Sequence, residues 1–581
     1  MLKSNCSYAV ATLLWVICYL WLAPTDVLAQ TWRDADCLES VLDSGRWVKI
    51  SVPSTGICRL TDAELRSMGF EQPENVRVYG YGGNLLSETF SGLPCADLPS
   101  TPMMRVDGGL LFYARGPLDW RRSSSRVQYF SRYQNYFSDR GYYFLTDRSD
   151  LPSTDLPVQE SISATTAQEL DCFNEFALIE GDAYSWGSTG RALYEDYDYA
   201  QNGTRSYDFH LPGIVTDKDG RVEVRFAANL VAKSGETSFS VTANEDNIGR
   251  ANISRIDPDN SYFTYARANS VSGTWDNGLD ENTTVTITHT RPAGTPGRMD
   301  YIAINYFRRL DMSGLSFLAF RSTEAVDRAT TFVLSGATEN TVVWDVTTPG
   351  EGRRMEGSYA NGEFRFTISA SPLHEFIAFA PTATSGFVAA ESEGTVANQN
   401  LHGMEGADLI IILPAREDLR QQAERLAQEH RDTDGMTVTL VEAPQIYNEF
   451  SSGTPDVTAY RRLMKMLYDR AEDNPSYTRP RYLLLFGDSS SDNRMVTSTW
   501  SSYSPEDFLV CYESAESEGD TESFVSDDYI GFLEDSEGSS LRSATLDIGV
   551  GRIPVRTEYE AQAVVDKCIA YSQNREAGNW K

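Results

Sequence analysis

The 581 residues carry 50 Lys and Arg against 83 Asp and Glu, a formal net charge of −33. Acidity on that scale argues against nucleic acid or an anionic membrane as direct partners, because both are repelled. It suits an exported protein kept in solution by charge, and it names no substrate.

Residues 1–29 read as a secretory signal peptide. Lys3 supplies the positive start, Ala9 to Ala23 is almost wholly apolar, and Val27-Leu28-Ala29 offers a cleavage site before Gln30. The apolar run falls short of the ~20 residues that span a bilayer, so cleavage is preferred to anchoring. No later segment is apolar enough to span. The mature chain, about 550 residues, exceeds a single core and implies about three domains. It keeps six cysteines: Cys37, Cys58, Cys95, Cys172, Cys511 and Cys568. None sits in a CxxC or Cys/His metal spacing. In an oxidising compartment Cys37, Cys58 and Cys95 are able to pair among themselves, with connectivity open. Cys568 shares a helical face with Val564 and Tyr571 and is expected to be a buried free thiol.

Residues 30–155 are expected to form a β-rich domain with one short helix. "WVKISV" alternates, and in "TDAELRSMGF" Thr61 and Glu64 make a capping box closed by Gly69. Residues 156–381 read as a β-sandwich-like domain, with strands such as "RVEVRFAANL", "TTVTITHT", "DYIAINYF" and "EFRFTIS". Residues 382–405 are weakly patterned and read as a linker.

From residue 406 to 581 the period changes from two to 3.6. "ADLIIILP", "MTVTLVE" and "RYLLLF" are buried strands separated by helices at Arg416–His430 and after Thr454, which is expected to cap the second helix. That succession is a doubly wound, mainly parallel α/β sheet. "DDYIGFLE" and "LDIGVGRIP" are expected to add two strands, and Thr557–Asn574 a last amphipathic helix.

The loop after "RYLLLF" holds Asp488 and Asp492 where ligands gather in open α/β sheets. Asp488, Asp492, Asp527 and Asp528 are the candidate ligands of a hard cation such as calcium, beside the plainer reading of structural carboxylates. No GxSxG, HExxH, P-loop or GxGxxG occurs. Of the five histidines, His210, His289 and His374 fall in strand patterns, His402 at the linker's exit and His430 at a helix end. None follows an α/β strand in a Gly-flanked loop, and no catalytic residue is assigned.

Longer stretches carry more than their pattern. "NQNLHGMEGADLIIILP", "QIYNEFSSGTPDVTAYRRLMKMLYDR", "RYLLLFGDSSSDN" and "DIGVGRIPVRTEYEAQAVVDKCIAY" resemble the gingipain family of cysteine peptidases, and within it the sortase branch of the type IX secretion system. "GRWVKISVPSTGICRLTDAELRSMGF", "MDYIAINYFRRL" and "VVWDVTTP" extend the resemblance to the β-rich part. It implies a caspase-like α/β region of two subdomains, with a cysteine nucleophile and a histidine base in the second. The Gly-His-Gly loop and the cysteine strand-end that carry them are not in these residues, so the chain is expected to hold the first subdomain only and to be inactive alone. The resemblance also implies cleavage of C-terminal secretion signals from cargo proteins through a thioester. Lipopolysaccharide is the implied acceptor and an outer-membrane β-barrel the implied partner, at the cell surface of a diderm bacterium. No cofactor is required for that chemistry. A non-catalytic exported scaffold and a general gingipain-like protease are the alternatives.

Overall fold

The computed structural model describes residues 38–90, 97–124, 127–151, 156–163, 166–244, 246–276 and 280–573. The signal-peptide reading, Cys37 and Cys95 lie outside them. The first part contains β1 (Trp47–Val52), β2 (Gly56–Thr61), α1 (Asp62–Ser67), β3 (Gly109–Ala114), β4 (Leu118–Arg121) and β5 (Gly141–Thr146). β1 pairs with β5, and β2 with β3, both antiparallel. The two sheets close on Val48, Ile50, Leu60, Leu110, Phe112 and Leu145. α1 starts at the capping box read from its sequence: Thr61 accepts from the Glu64 amide, and Glu64 accepts from the Thr61 amide. Gly69 then takes the left-handed conformation (φ 92°) that ends the helix. Cys58 faces this core as a buried free thiol. The expectation that it joins a pairing with Cys37 or Cys95 is corrected: its inward position on β2 puts the sulfur among apolar side chains.

The next stretch contains β6 (Cys172–Glu180), β7 (Thr204–His210), β8 (Gly220–Ala228), β9 (Thr237–Ala243), β10 (Asp246–Ile253), β11 (Arg267–Trp275), β12 (Asn282–Thr290) and β13 (Gly297–Arg309). Sheets β6-β13-β8-β11 and β7-β12-β9-β10 form a sandwich. Its core joins Val222, Val224 and Phe226 of β8 to Phe239 of β9 and Ile287 of β12. Then come β14 (Phe317–Arg321), β15 (Thr330–Leu334), β16 (Val342–Asp345), β17 (Glu363–Ile368) and β18 (Glu375–Phe379). With Val158–Gln159 and Gln168–Leu170 they build a second pair of sheets around Phe173, Phe320, Phe332, Phe366 and Phe376. The stretch expected as one sandwich is therefore two, the first inserted in the chain between strands of the second. Period-two alternation shows that a strand has a core face; it does not show which core.

Residues 382–405 were expected to be a linker and contain instead β19 (Glu391–Val396), an edge strand antiparallel to β1 with Val396 opposite Trp47. Its side chains are nearly all exposed. Backbone bonds alone hold it, so its polar sequence carries no strand pattern.

The last region contains β20 (Leu409–Leu413), α2 (Glu417–Glu429), β21 (Val438–Glu442), α3 (Ala443–Phe450), α4 (Val457–Asp473), β22 (Tyr482–Phe486), β23 (Gly549–Ile553) and α5 (Glu558–Ser572). The order is β21-β20-β22-β23, and every neighbour is parallel. Ile410, Ile412, Leu483 and Leu485 pack under α3 and α4. Leu409, Ile411, Leu413 and Phe486 pack under α2 and α5. The β-rich domains followed by a mainly parallel α/β region are thus as the sequence indicated. Two local expectations differ. "DDYIGFLE" is not a strand: Asp528–Gly531 is a 3-10 turn, with consecutive Tyr529 and Ile530 buried against α4. Asp456, not Thr454, caps α4, accepting from the Thr458 amide at 2.8 Å. Thr454 instead donates to the Gly82 carbonyl at 3.2 Å, tying the α/β region to the first part.

Candidate functional site

In a sheet of this order the chain reverses direction between β20 and β22, so the crevice beyond their C-terminal ends is the place for ligands. Here the loops after β20 and β22 meet at Gly487 and Pro414. A Cβ on Gly487 would sit 3.0 Å from Cδ of Pro414, so glycine is what allows the loops after β20 and β22 to meet. The Gly487 amide donates to Ile553 and the Asp488 amide to Val555, at 3.0 and 3.1 Å, which fastens the loop to the exit of β23.

The four candidate carboxylates do not converge. Asp488 accepts from the Ser489 amide at 2.9 Å and lies 3.4 Å from Nε of Arg556. Asp492 is buried and accepts from the Thr497 amide at 2.7 Å, closing its own loop. Asp527 forms a bidentate pair with Arg552, at 2.8 and 2.7 Å, and Arg552 also donates to the Gly487 carbonyl at 2.9 Å. Asp528 is exposed and opens the 3-10 turn. Among the described residues no three His, Cys, Asp or Glu side chains are grouped as a metal site. Asp488 and Asp527 are each answered by an arginine and Asp492 by a backbone amide.

Cys511 comes from the same neighbourhood as a buried free thiol. Its amide donates to Oδ1 of Asn493 at 3.1 Å, and its Sγ donates to the Ser490 carbonyl at 3.2 Å rather than to a base. Burial pushes the thiol far up, with Glu513 adding to the effect. Among the described residues no hydrogen bond joins a cysteine to an imidazole. His289 lies flat on Phe239, centroids 4.2 Å apart, and bonds Thr237 at 2.6 Å. His374 bonds Asp345 and His430 bonds Asp434, each at 2.7 Å.

His402 has the most defined surroundings. It is fully buried, with Nδ1 2.6 Å from Oε2 of Glu449 and the ring stacked on Phe450. Glu449 also accepts from the amides of Leu401 and His402 and from Nε2 of Gln399. One buried carboxylate thus collects the "NQNLHG" segment where the chain enters the α/β region, and its place is structural. α3, which carries Glu449, was not read from the sequence. Pro444 at its start and the spacing of Ile446, Tyr447 and Phe450 are the signals that mark it.

Sequence reasoning also missed the charged seam joining the two halves. The loop from Asn493 to Ser523 lies on the first sandwich. Arg225 of β8 pairs with Glu516 and Glu518 at 2.8 and 3.1 Å, and Arg494 pairs with Asp139 and Asp182 at 3.0 and 2.8 Å. Arg191 pairs with Glu88 at 2.6 Å and lies over the Tyr512 ring. Beneath them burial lifts the Glu513 carboxyl to about 8. Wide sequence separation hides such pairs from a linear reading.

Residues 403–581 match the model of peptidase family C25. The α/β region behind the β-rich domains is therefore similar to peptidase family C25. Among solved structures it is similar to the dimeric latent PorU of Porphyromonas gingivalis, with a TM-score of 0.81 and 31% identity over 93% of this chain and 51% of that one. The chain thus spans about half the length of that relative. The C-terminal domain of the sugar-binding protein EclA and a family 35 carbohydrate binding module from Clostridium thermocellum each align with 24% of the chain, at 10% and 13% identity, covering 84% and 94% of their own lengths. Their TM-scores of 0.14 carry no argument. No curated protein matches the chain.

Proposed function

We propose that the chain is the N-terminal part of a cysteine peptidase of the PorU type. In this reading it supplies the β-rich domains and the first half of the α/β region, while a further segment extends the sheet beyond β23 and brings the nucleophile and its base. The observation that carries the reading is the agreement with PorU over 93% of this chain but 51% of the relative, together with a C25 region in which no described cysteine meets a histidine. β23 supports it, having a strand partner on one side only among the described residues.

The chemistry is acyl transfer. The base takes the thiol proton, the thiolate attacks the carbonyl of the scissile peptide bond, and the C–N bond breaks as the proton passes to the leaving amine. Water, or an amine of surface lipopolysaccharide, then opens the thioester and restores the thiol. The substrates are cargo proteins with a C-terminal secretion signal. The chain is exported through the signal at 1–29 and acts at the outer membrane beside a β-barrel partner. The test compares purified 1–581 with a chain continued by the following coding sequence. The continued chain is expected to cleave a cargo C-terminal signal and 1–581 is not. Cleavage by 1–581, or a stop codon directly after residue 581 in an expressed, folded protein, would overturn the reading.

A further inference from the structure

The loop after β22 meets the first sandwich at a cavity of about 280 Å³, where the two halves of the chain adjoin. Its volume is close to the lower end of the ~300–1,000 Å³ range of ligand pockets, so the ligand it suits is small. One wall comes from the 183–188 segment of the sandwich and the other from the 491–500 segment of the loop. Both walls are held. The amides of Ala183 and Tyr184 donate to the Tyr194 carbonyl at 2.9 and 2.8 Å. Trp186 stands edge-on to Tyr184 and Tyr194, with centroids 5.4 and 6.2 Å away. On the other side the Thr497 amide donates to Oδ2 of Asp492 at 2.7 Å, and Trp500 stands edge-on to Phe508 at 5.8 Å.

Three polar groups of the lining are unmet among the described residues. Nε1 of Trp186 and Oγ of Ser185 are buried without a hydrogen-bond partner. Asp492 is 6% exposed and has no Lys or Arg in ion-pair reach; the Thr497 amide takes Oδ2, and Oδ1 accepts no hydrogen bond. Hydrogen bonds left unmade at buried groups are costly, so three of them around one cavity call for a ligand. Their chemistry selects it. The indole N–H only donates, the carboxylate only accepts, and the hydroxyl does both. A cation would meet Asp492 but face the N–H of Trp186. An anion would be repelled by Asp492, and an apolar molecule would leave all three groups unmet. A neutral molecule with several hydroxyls answers all of them, because each hydroxyl donates one bond and accepts two. Peptide amides are also neutral donors and acceptors, but no strand lines the cavity to set the register of a backbone. Trp186 and Trp500 offer flat apolar surface, which suits the C–H face of a sugar ring. The Tyr184 ring is already covered by the Arg298 guanidinium, 3.8 Å from its centroid.

We propose that this cavity binds one neutral sugar ring, with Asp492 accepting from its hydroxyls, Ser185 and Trp186 bonding its oxygens and Trp500 packing on its C–H face. Binding there needs no bond to be cut, so it stands apart from the peptidase reaction and its acceptor.

The test is saturation-transfer NMR of the full chain with the methyl α-glycosides of glucose, galactose, mannose and N-acetylglucosamine, followed by titration of those that bind. At least one glycoside is expected to bind. Asp492→Asn, which keeps an acceptor for the Thr497 amide, is expected to weaken it at least tenfold, and so is Trp500→Ala. Tyr571→Ala, which removes an exposed ring on α5, is expected to leave binding unchanged. Binding by none of the four glycosides would overturn the proposal, as would binding that survives both Asp492→Asn and Trp500→Ala. Displacement of the glycoside by equimolar trialanine or choline would also overturn it, marking a peptide or a cation site. If thermal melts show that Asp492→Asn does not fold, unchanged binding by Trp500→Ala overturns the proposal on its own.

Discussion

Cys511 and Cys568 are both unpaired, and their surroundings give opposite chemistry. Cys511 is buried, donates to a carbonyl and has its thiol pushed up by burial, whereas Cys568 is half-exposed on α5. In the folded chain at pH 8, iodoacetamide is expected to label Cys568 at least tenfold faster than Cys511, read by peptide mass spectrometry. Preferential labelling of Cys511 would make it a candidate nucleophile. Asp456 is a second residue whose role is local. It caps α4 and also accepts from the Leu86 amide at 3.2 Å. Asp456→Ala is expected to lower stability by about 1–2 kcal/mol, measured by urea unfolding. Glu513 sets a pH dependence. Its folded carboxyl sits near 8 because burial disfavours the charge, while in the unfolded chain it titrates near the usual glutamate value. Stability from this group is therefore full below the unfolded value and is lost as pH rises through about 8. Glu513→Gln, which leaves an acceptor for Asn493, is expected to raise Tm at pH 9 and to change it little at pH 5. The opposite ordering would show that Glu513 is charged in the folded protein.

The elements that were legible share one physical property. β20 is a run of apolar residues buried on both faces, as strands of a covered parallel sheet are, and β22 is an apolar run buried from Leu483 to Phe486 except for the half-buried Leu484; both read as strands without context. The capping box at Thr61 is short-range and equally plain. What escaped depends on partners far along the chain. β19 is polar and lies on β1 across more than three hundred positions, and Tyr529 is buried through its bond to Thr458 rather than through alternation. The candidate site was the least legible part. Position made Asp488 and Asp492 resemble active-site carboxylates, and only coordinates reveal that Arg556 and the Thr497 amide answer them. At this scale β23 is expected to be the weak member of its sheet, with one strand partner and mostly exposed or half-exposed side chains. Hydrogen exchange of Gly549–Ile553 amides is expected to be at least tenfold faster than that of Leu409–Leu413. Equal protection would mean that the outer edge of β23 is covered.

Across the whole molecule, the β-rich half and the α/β region are fastened by a few specific groups: Glu449 gathering the entering chain, Thr454 on Gly82, and the arginines of the 493–523 seam. This arrangement fastens the C25-like α/β region to the β-rich domains. Limited proteolysis is expected to cut the α/β region before the sandwiches, because its edge strand β23 has a strand partner on one side only among the described residues and mostly exposed or half-exposed side chains. If 406–581 were the most resistant fragment, the α/β region would be complete in itself. The most direct measurement is a cleavage assay of purified 1–581 on a protein bearing a C-terminal secretion signal. The predicted result is no product above the uncatalysed background. Cleavage by the purified chain that disappears in Cys511→Ala would contradict the account, because it would place a working nucleophile in a region read here as having none.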